Sequence, residues 1–477
     1  MSRQAAINVA TEYFDNGGYL TDLRRRVAIR TESQMLAERG QEMAAYMAEM
    51  RSTLEPLGYD CNEYENPVAG GGPFLIAKRF EDASLPTVFT YGHGDVVRGL
   101  EEQWRDGLDP WQVTIDGDDQ TGRWFGRGTA DNKGQHSINI AALQAVLATR
   151  GERLGFNSII MIEMGEEIGS AGLKEFAAAM AEDLVADVLI SSDGPRLQAE
   201  RPTLFMGSRG AFNFTLDLDL RSGAHHSGNW GGLISNPGII LANAIASLVD
   251  SRGQIKIPAL RPESLSNSVR MALADCEVDG GADGPTVEPD WGEIGLTPAE
   301  RVFGWNSFEV LAFKTGNPEN PVNAIPPRAS ATCQLRYVVG TDPHSIVPAI
   351  KAHLQAHGFP QITVTAARLG FANATRLDPD HPWVQFAARS LHETTGKKPA
   401  ILPNLGGTLP NDVFAETLGL PTIWVPHSYA SCAQHAPNEH LLPSIAREGL
   451  QIMAGLFWDL GEGQTPAELE APRKPLK

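Results

Sequence analysis

Residues 158–170 read Ser158-Ile159-Ile160-Met161-Ile162-Glu163-Met164-Gly165-Glu166-Glu167-Ile168-Gly169-Ser170, an apolar run that ends on adjacent acids in a glycine turn. Carboxylates seldom sit at the end of a buried strand unless something cationic holds them there. Partners follow in order along the chain. They are His93 in Tyr91-Gly92-His93-Gly94-Asp95, Asp131 in Gly128-Thr129-Ala130-Asp131-Asn132-Lys133-Gly134, Asp193 in Ser191-Ser192-Asp193-Gly194, and His435 in His435-Ala436-Pro437-Asn438-Glu439. Imidazoles and carboxylates at strand ends and in glycine turns make a ligand set for two divalent metals. The expected chemistry is metal-assisted hydrolysis.

Outward from that run, Val88-Phe89-Thr90-Tyr91 and Val188-Leu189-Ile190 are further strand-like segments. Helical stretches, His136 to Thr149 and Gly172 to Leu184, alternate with them, which predicts an α/β sheet with helices on both faces. Ligands of such sheets bind beyond the strand ends, where His93, Glu166, Glu167 and Asp193 fall. Met43, Met47, Met50 and Leu54 recur at helical spacing and predict a helix over roughly residues 34–57.

After Gly210 the pattern changes. Phe212, Phe214, Leu216, Leu218 and Leu220 alternate with Asn213, Thr215, Asp217 and Asp219, the mark of a half-exposed strand. A helix over Pro237–Val249, strands over Phe308–Phe313 and Ala329–Val339, a helix over Pro343–His357 and a strand over Ile362–Ala367 complete a β-α-β-β-α-β unit. A Gly/Pro/Asp-rich loop around Asp279–Glu300 interrupts it, and a polar tail follows Leu460. The expected fold class is α/β. A discontinuous di-metal catalytic domain (1–208 and 372–477) has a mixed sheet, and 209–371 form an inserted α+β, ferredoxin-like lid and dimerisation domain.

The formal charge of -19 argues against nucleic acid or an anionic membrane as partner. It says little about a small substrate, because a metal site is locally cationic even in an acidic protein. Cys61, Cys276, Cys333 and Cys432 are scattered, which fits a reducing cytosol and offers no thiolate zinc site. The start of the chain lacks an apolar signal core, and no run of about 18 apolar residues occurs. A cytoplasmic location is the default expectation.

Each ligand signal is weak singly. A lone His93 is more often structural, but Asp95 two residues on shares its face, where a carboxylate can take the second imidazole N–H. Asp131 alone reads as a helix N-cap, Asp193 as a turn former and His435 as a loop histidine. The ordered set carries the weight.

That set, with Gly126-Arg127-Gly128 before Thr129 and the Glu166-Glu167-Ile168-Gly169-Ser170 turn, resembles the motifs of the M20 metallopeptidase family over nearly the whole chain. The family includes carnosinase-like dipeptidases, carboxypeptidases, aminoacylases, acetylornithine deacetylase and succinyl-diaminopimelate desuccinylase. The resemblance implies that His93 and Asp193 bind one metal, that Glu167 and His435 bind the other, and that Asp131 bridges both. It also implies a cis peptide between Asp131 and Asn132, and Glu166 as general base and acid. Oxygen and imidazole ligands suit zinc, with manganese or cobalt as alternatives.

In the lid, His225-His226-Ser227-Gly228-Asn229-Trp230-Gly231-Gly232 resembles the family's His-Ser-Gly-x-x-Gly-Gly turn. This aligns His226, with His225 as the alternative, to a histidine that enters a dimer partner's active site and stabilises the oxyanion. A homodimer is therefore expected. Asn323 and Arg336 match lid positions that hold substrate, and a guanidinium on the polar face of its strand suits a carboxylate. Gly406-Gly407-Thr408 resembles a turn that meets the substrate's terminal carboxylate. Asp131-Asn132-Lys133-Gly134 departs from both the Asp-Asp-Lys-Gly of dipeptidases and the Asp-Met-Lys-Gly of deacylases. Hydrolysis of dipeptides or related small peptide-like substrates leads, with N-acyl-amino-acid deacylase, desuccinylase or another amidohydrolase as the alternative.

Overall fold

Thr87–His93, Asn157–Glu163 and Val188–Ser191 carry β-branched and aromatic residues almost without polar interruption, as strands covered on both faces do. In the computed structural model, which describes residues 2–118, 122–278, 284–367, 372–463 and 465–466, they lie side by side and parallel, Thr87–His93 in the middle. The register sets His93 opposite Glu163, so these strands end on a common edge.

They are the centre of an eight-stranded mixed sheet. Its order is Asp60–Tyr64, Phe74–Arg79, Asn157–Glu163, Thr87–His93, Val188–Ser191, Thr422–Trp424, Thr203–Phe205 and Ala400–Leu402. Thr422–Trp424 returns from far along the chain to pair in parallel with Val188–Ser191. The sheet therefore draws strands from both sides of the interruption.

The helix Lys133–Arg150 begins three residues earlier than its pattern suggests and packs against Arg3–Asp15 and Pro443–Leu460. Enclosure on nearly all sides explains the apolar Ile138-to-Leu147 composition, broken only at Asn139 and the exposed Gln144. Gly151, at φ 72°, stops it in the left-handed region. Gly40–Leu54 buries Met43, Met47, Met50 and Leu54, but starts later than expected: the chain before it makes successive turns, with Arg39 N–H returning to the Met35 carbonyl and its side chain paired with Glu32. The helix expected up to Leu184 stops at Ala179; the Asp183 and Leu184 N–H groups both return to the Met180 carbonyl, and that turn buries Leu184.

The second unit is an antiparallel sheet ordered Ser307–Thr315, Arg328–Tyr337, Gly210–Asp219, Thr363–Ala366. Pro237–Leu248 and Pro343–Ala356 cover one face, burying Phe214, Leu216 and Leu335 against Leu241 and Ile350. The connectivity is the expected ferredoxin-like β-α-β-β-α-β. Arg336, Gln334 and Asn213 occupy alternate, opposite-facing positions.

Not all of the interrupting stretch joins this core. Leu265, Val269, Leu273, Ala299, Phe303 and Trp305 pack with Phe205, Leu402 and Trp424 beneath the large sheet. The stretches 265–276 and 299–305 thus tie the smaller unit to the larger. The start of the Asp279–Glu300 loop and most of the polar tail lie outside the described residues. Among the described residues no helix is long and apolar enough to cross a membrane.

Candidate metal centre and active site

The strand ends and the following turns bring the ligand candidates into one cluster. His93 is fully buried, its Nε2 3.0 Å from Asp131 Oδ1 and 3.6 Å from Asp193 Oδ2. His435 Nε2 stands 3.1 Å from Asp131 Oδ2 and 2.9 Å from Glu167 Oε2. The Asp131 carboxylate therefore faces the His93 and Asp193 pair with one oxygen and the His435 and Glu167 pair with the other. Ligand atoms of His93, Asp131 and Glu167 all lie within 4.8 Å of one another. The Asp131–Asn132 peptide is cis.

Glu166 Oε2 lies 3.9 Å from His93 Nε2. Asp95 departs from its expected contact. The His93 Nδ1 faces the Asp95 carbonyl at 3.1 Å, with the carboxylate Oδ1 further off at 3.5 Å. The carboxylate oxygens are taken by the N–H groups of Glu166 and Glu167, at 3.1 and 3.0 Å. Asp95 thus joins the His93 strand to the Glu166–Glu167 turn.

Glu439, quoted in the His435 motif but given no role there, organises the Asp131 loop. Its buried carboxylate accepts from the N–H groups of Gly128, Ala130 and Asp131 and from Arg127 Nη1 at 2.8 Å. Arg127 and Glu439 are each 1% exposed. Other positioning contacts also escaped the sequence reading: Gln434 Nε2 donates to Asp131 Oδ2, and Asn132 Nδ2 donates to the Ser192 carbonyl. The arginine and glutamate lie far apart in sequence, so their pairing is visible only once the chain folds. His435 itself has φ 60°, a left-handed conformation that costs a non-glycine residue on the order of 1 kcal/mol and concentrates at functional sites.

The cluster is short of positive charge. Burial raises Glu166 well above the usual carboxylate range, with Glu167, Asp193 and Asp131 adding to it. Burial, then the Asp131 charge, pushes Glu167 up to about 7 and Asp193 to about 6. Hydrogen bonds to Asp131 and Glu167 raise His435 to about 11. Asp193 Oδ2 is buried without a hydrogen-bond partner in the described protein. Carboxylate oxygens crowded with imidazole nitrogens, one of them orphaned, fit a divalent cation.

On the lid, the Arg336 guanidinium donates to Thr408 Oγ1 at 2.7 Å and to Gln334 Oε1 at 3.0 Å. Thr408 Oγ1 in turn donates to the Arg209 carbonyl, and Arg209 Nε reaches the Gly406 carbonyl at 2.8 Å. The structure thus joins Arg336 to the Gly406–Thr408 turn and adds Arg209, which no sequence signal singled out. Leu405 ties this turn to the cluster: a β-carbon at Gly194, next to Asp193, would meet Leu405 Cδ2 at 3.1 Å. His226 and Asn323 lie elsewhere. They flank a short ribbon where His226 pairs with Ala324 and the Asn323 carbonyl accepts from Ser227 N–H. His226 is exposed, whereas His225 is half-buried with its ring edge-on to Trp230.

An oxygen and imidazole cluster, buried at His93 and Asp193 and open to solvent at His435, lies at the C-terminal edge of an α/β sheet beneath a ferredoxin-like lid and defines a metal-dependent hydrolase. Residues 89–459 match the model of peptidase family M20/M25/M40, and the chain belongs to that family. A cysteinylglycine-S-conjugate dipeptidase of Corynebacterium striatum is 26% identical over 360 residues, 75% of this chain and 76% of its own. A beta-Ala-His dipeptidase of Rattus norvegicus is 24% identical over 475 residues, 93% of each chain. The solved structure of the dipeptidase Dug1p from Saccharomyces cerevisiae is similar with a TM-score of 0.78 at 21% identity, covering 97% of this chain and 100% of that one. At that identity the likeness is one of fold.

Proposed function

We propose that this protein is a dipeptidase binding two divalent metals, and that it cleaves the amide bond of small peptides with a free α-carboxylate. The observation that carries the reading is the Asp131 carboxylate, one oxygen toward His93 and the other toward His435. His93 and Asp193 form one half-site, Glu167 and His435 the other, with zinc the metal that suits these donors and manganese or cobalt as alternatives. Ions bound there acidify water and polarise a carbonyl. Glu166, whose carboxylate has no hydrogen-bond partner among the described residues, takes a proton at its Oε2 and returns it to the departing amine. Arg336, Thr408 and Gly407 hold the substrate carboxylate, and Asp95 fixes the turn that carries Glu166. The dipeptidases among the relatives favour this substrate class over N-acyl amino acids.

Catalytic segments 1–208 and 372–477 act beneath a lid formed from 209–371. The lid pairs with a second copy, which places His226 and Asn323 over the partner's site. The exposed Val310, Leu311 and Phe313 on the lid's edge strand supply an apolar face for that pairing. All four cysteines are free and buried, in keeping with a reducing cytoplasm. The test is a screen of metal-reconstituted protein against dipeptides, N-acetyl and N-succinyl amino acids, following amine release. Turnover of the acyl amino acids with none of the dipeptides would sink the reading.

A further inference from the structure

Away from the metal cluster, a cavity of about 480 Å³ opens between the lid sheet and the described parts of the stretch between Gly253 and Trp305. Sites for small ligands span about 300–1,000 Å³. Its walls include Ile255, Trp291, Val302 and Trp305, with Arg209 and Ser307 also on the lining. Contacts at these last two residues and at Val302 set the cavity against the carboxylate clamp. Arg209 Nε donates to the Gly406 carbonyl. Val302 closes on the same glycine, since a β-carbon there would come 2.8 Å from Val302 Cγ1. Ser307 is the cross-strand partner of Arg336, and such neighbours have β-carbons about 4.5–5.5 Å apart.

Two of the charged groups on the lining, Glu293 and Arg301, are engaged, while Glu288 and Glu309 also lie along it. Glu293 accepts from Gln254, Arg261 and Trp305, and Arg301 donates to the carbonyls of Pro289, Trp291 and Glu293. The larger part of the surface the cavity offers an incoming group is aromatic and aliphatic. Trp291 is 51% exposed, its indole laid over Gly253, where a β-carbon would come within 3.0 Å of the ring.

We propose that this cavity receives the side chain of the substrate residue whose carboxylate Arg336 holds, and that it selects large apolar or aromatic C-terminal residues. The inference rests on the dipeptidase reading and names the substrate class of the same site. A carboxylate fixed at Arg336 and the Gly406–Thr408 turn leaves its side chain beside Arg209 and Val302, at the start of the apolar walls.

The experiment compares kcat/KM for Ala-Phe and Ala-Gly in the metal-loaded wild type, Trp291→Ala and Trp291→Phe. The wild type should prefer Ala-Phe by about 10- to 100-fold. Trp291→Ala should lower the Ala-Phe value by about tenfold and leave Ala-Gly within about twofold, with Trp291→Phe restoring most of the difference. The unchanged Ala-Gly rate reports that the variant is folded. Equal wild-type rates on the two peptides, or an equal loss on both in Trp291→Ala, overturns the pocket and leaves the dipeptidase reading standing. No hydrolysis of either peptide by the wild type overturns the dipeptidase reading, and the pocket with it.

Discussion

Glu166 and Glu439 show how two acids in one site come to do different work. Glu166 stands 3.9 Å from His93 and its carboxylate makes no hydrogen bond among the described residues, which suits a group that must change protonation during turnover. Glu166→Ala should therefore retain bound metal by elemental analysis while kcat falls by about 10²–10⁴-fold. Near-normal kcat would remove it from the reaction. Glu439 is held by three backbone N–H groups and Arg127, and its place is in assembly. Glu439→Ala leaves the Arg127 guanidinium buried and uncompensated, at a cost of about 3–5 kcal/mol in chemical denaturation. Metal content should drop with it, because the loop that presents Asp131 loses its anchor. A variant that kept both stability and metal would refute that role.

At the level of elements, the parallel strands and the lid were readable because burial wrote them into the residues. Ile159 to Ile162 is apolar without a break, Val88 to Tyr91 is broken only by the β-branched Thr90, and Phe212 to Leu220 alternates cleanly. The limits of Gly40–Leu54 and Leu173–Ala179 were not readable, since they follow from turns that close on Met35 and on Met180. Nor was Arg209, whose partners at Gly406 and Thr408 lie about two hundred residues on. The strand Arg328–Tyr337 carries the next prediction. Arg336→Ala removes the donor to Thr408 and, on the proposed reading, a charge-assisted contact to substrate worth about 2–5 kcal/mol. For a dipeptide with a free carboxylate, kcat/KM should fall by roughly two to three orders of magnitude, and far less for its C-terminal amide. If the wild type cleaves the amide as fast as the acid, carboxylate recognition is refuted.

For the molecule as a whole, assembly is the open variable. The edge strand Ser307–Thr315 shifts register between Val310 and Ala312 and leaves Val310, Leu311 and Phe313 exposed. Unpaired edges with apolar side chains invite another chain. Light scattering should report a dimer, and Phe313→Asp should shift it toward monomer with loss of activity, because His226 reaches no cluster ligand within its own chain. A fully active wild-type monomer at assay concentration would defeat both the pairing and the role of His226.

The return of Thr422–Trp424 to the large sheet also constrains how the chain is made. Asp193, the last made of His93, Asp131, Glu167 and Asp193, leaves the ribosome roughly 240 residues before His435, which at about 5–20 residues per second is a delay of roughly 12–50 s. Throughout that interval the nascent protein carries its acids without their last imidazole or the anchor of the Asp131 loop. The centre is thus completed late in synthesis. Products of premature termination before residue 435 should bind metal weakly and hydrolyse nothing, measurable by elemental analysis and amine release on a chain ended at residue 434.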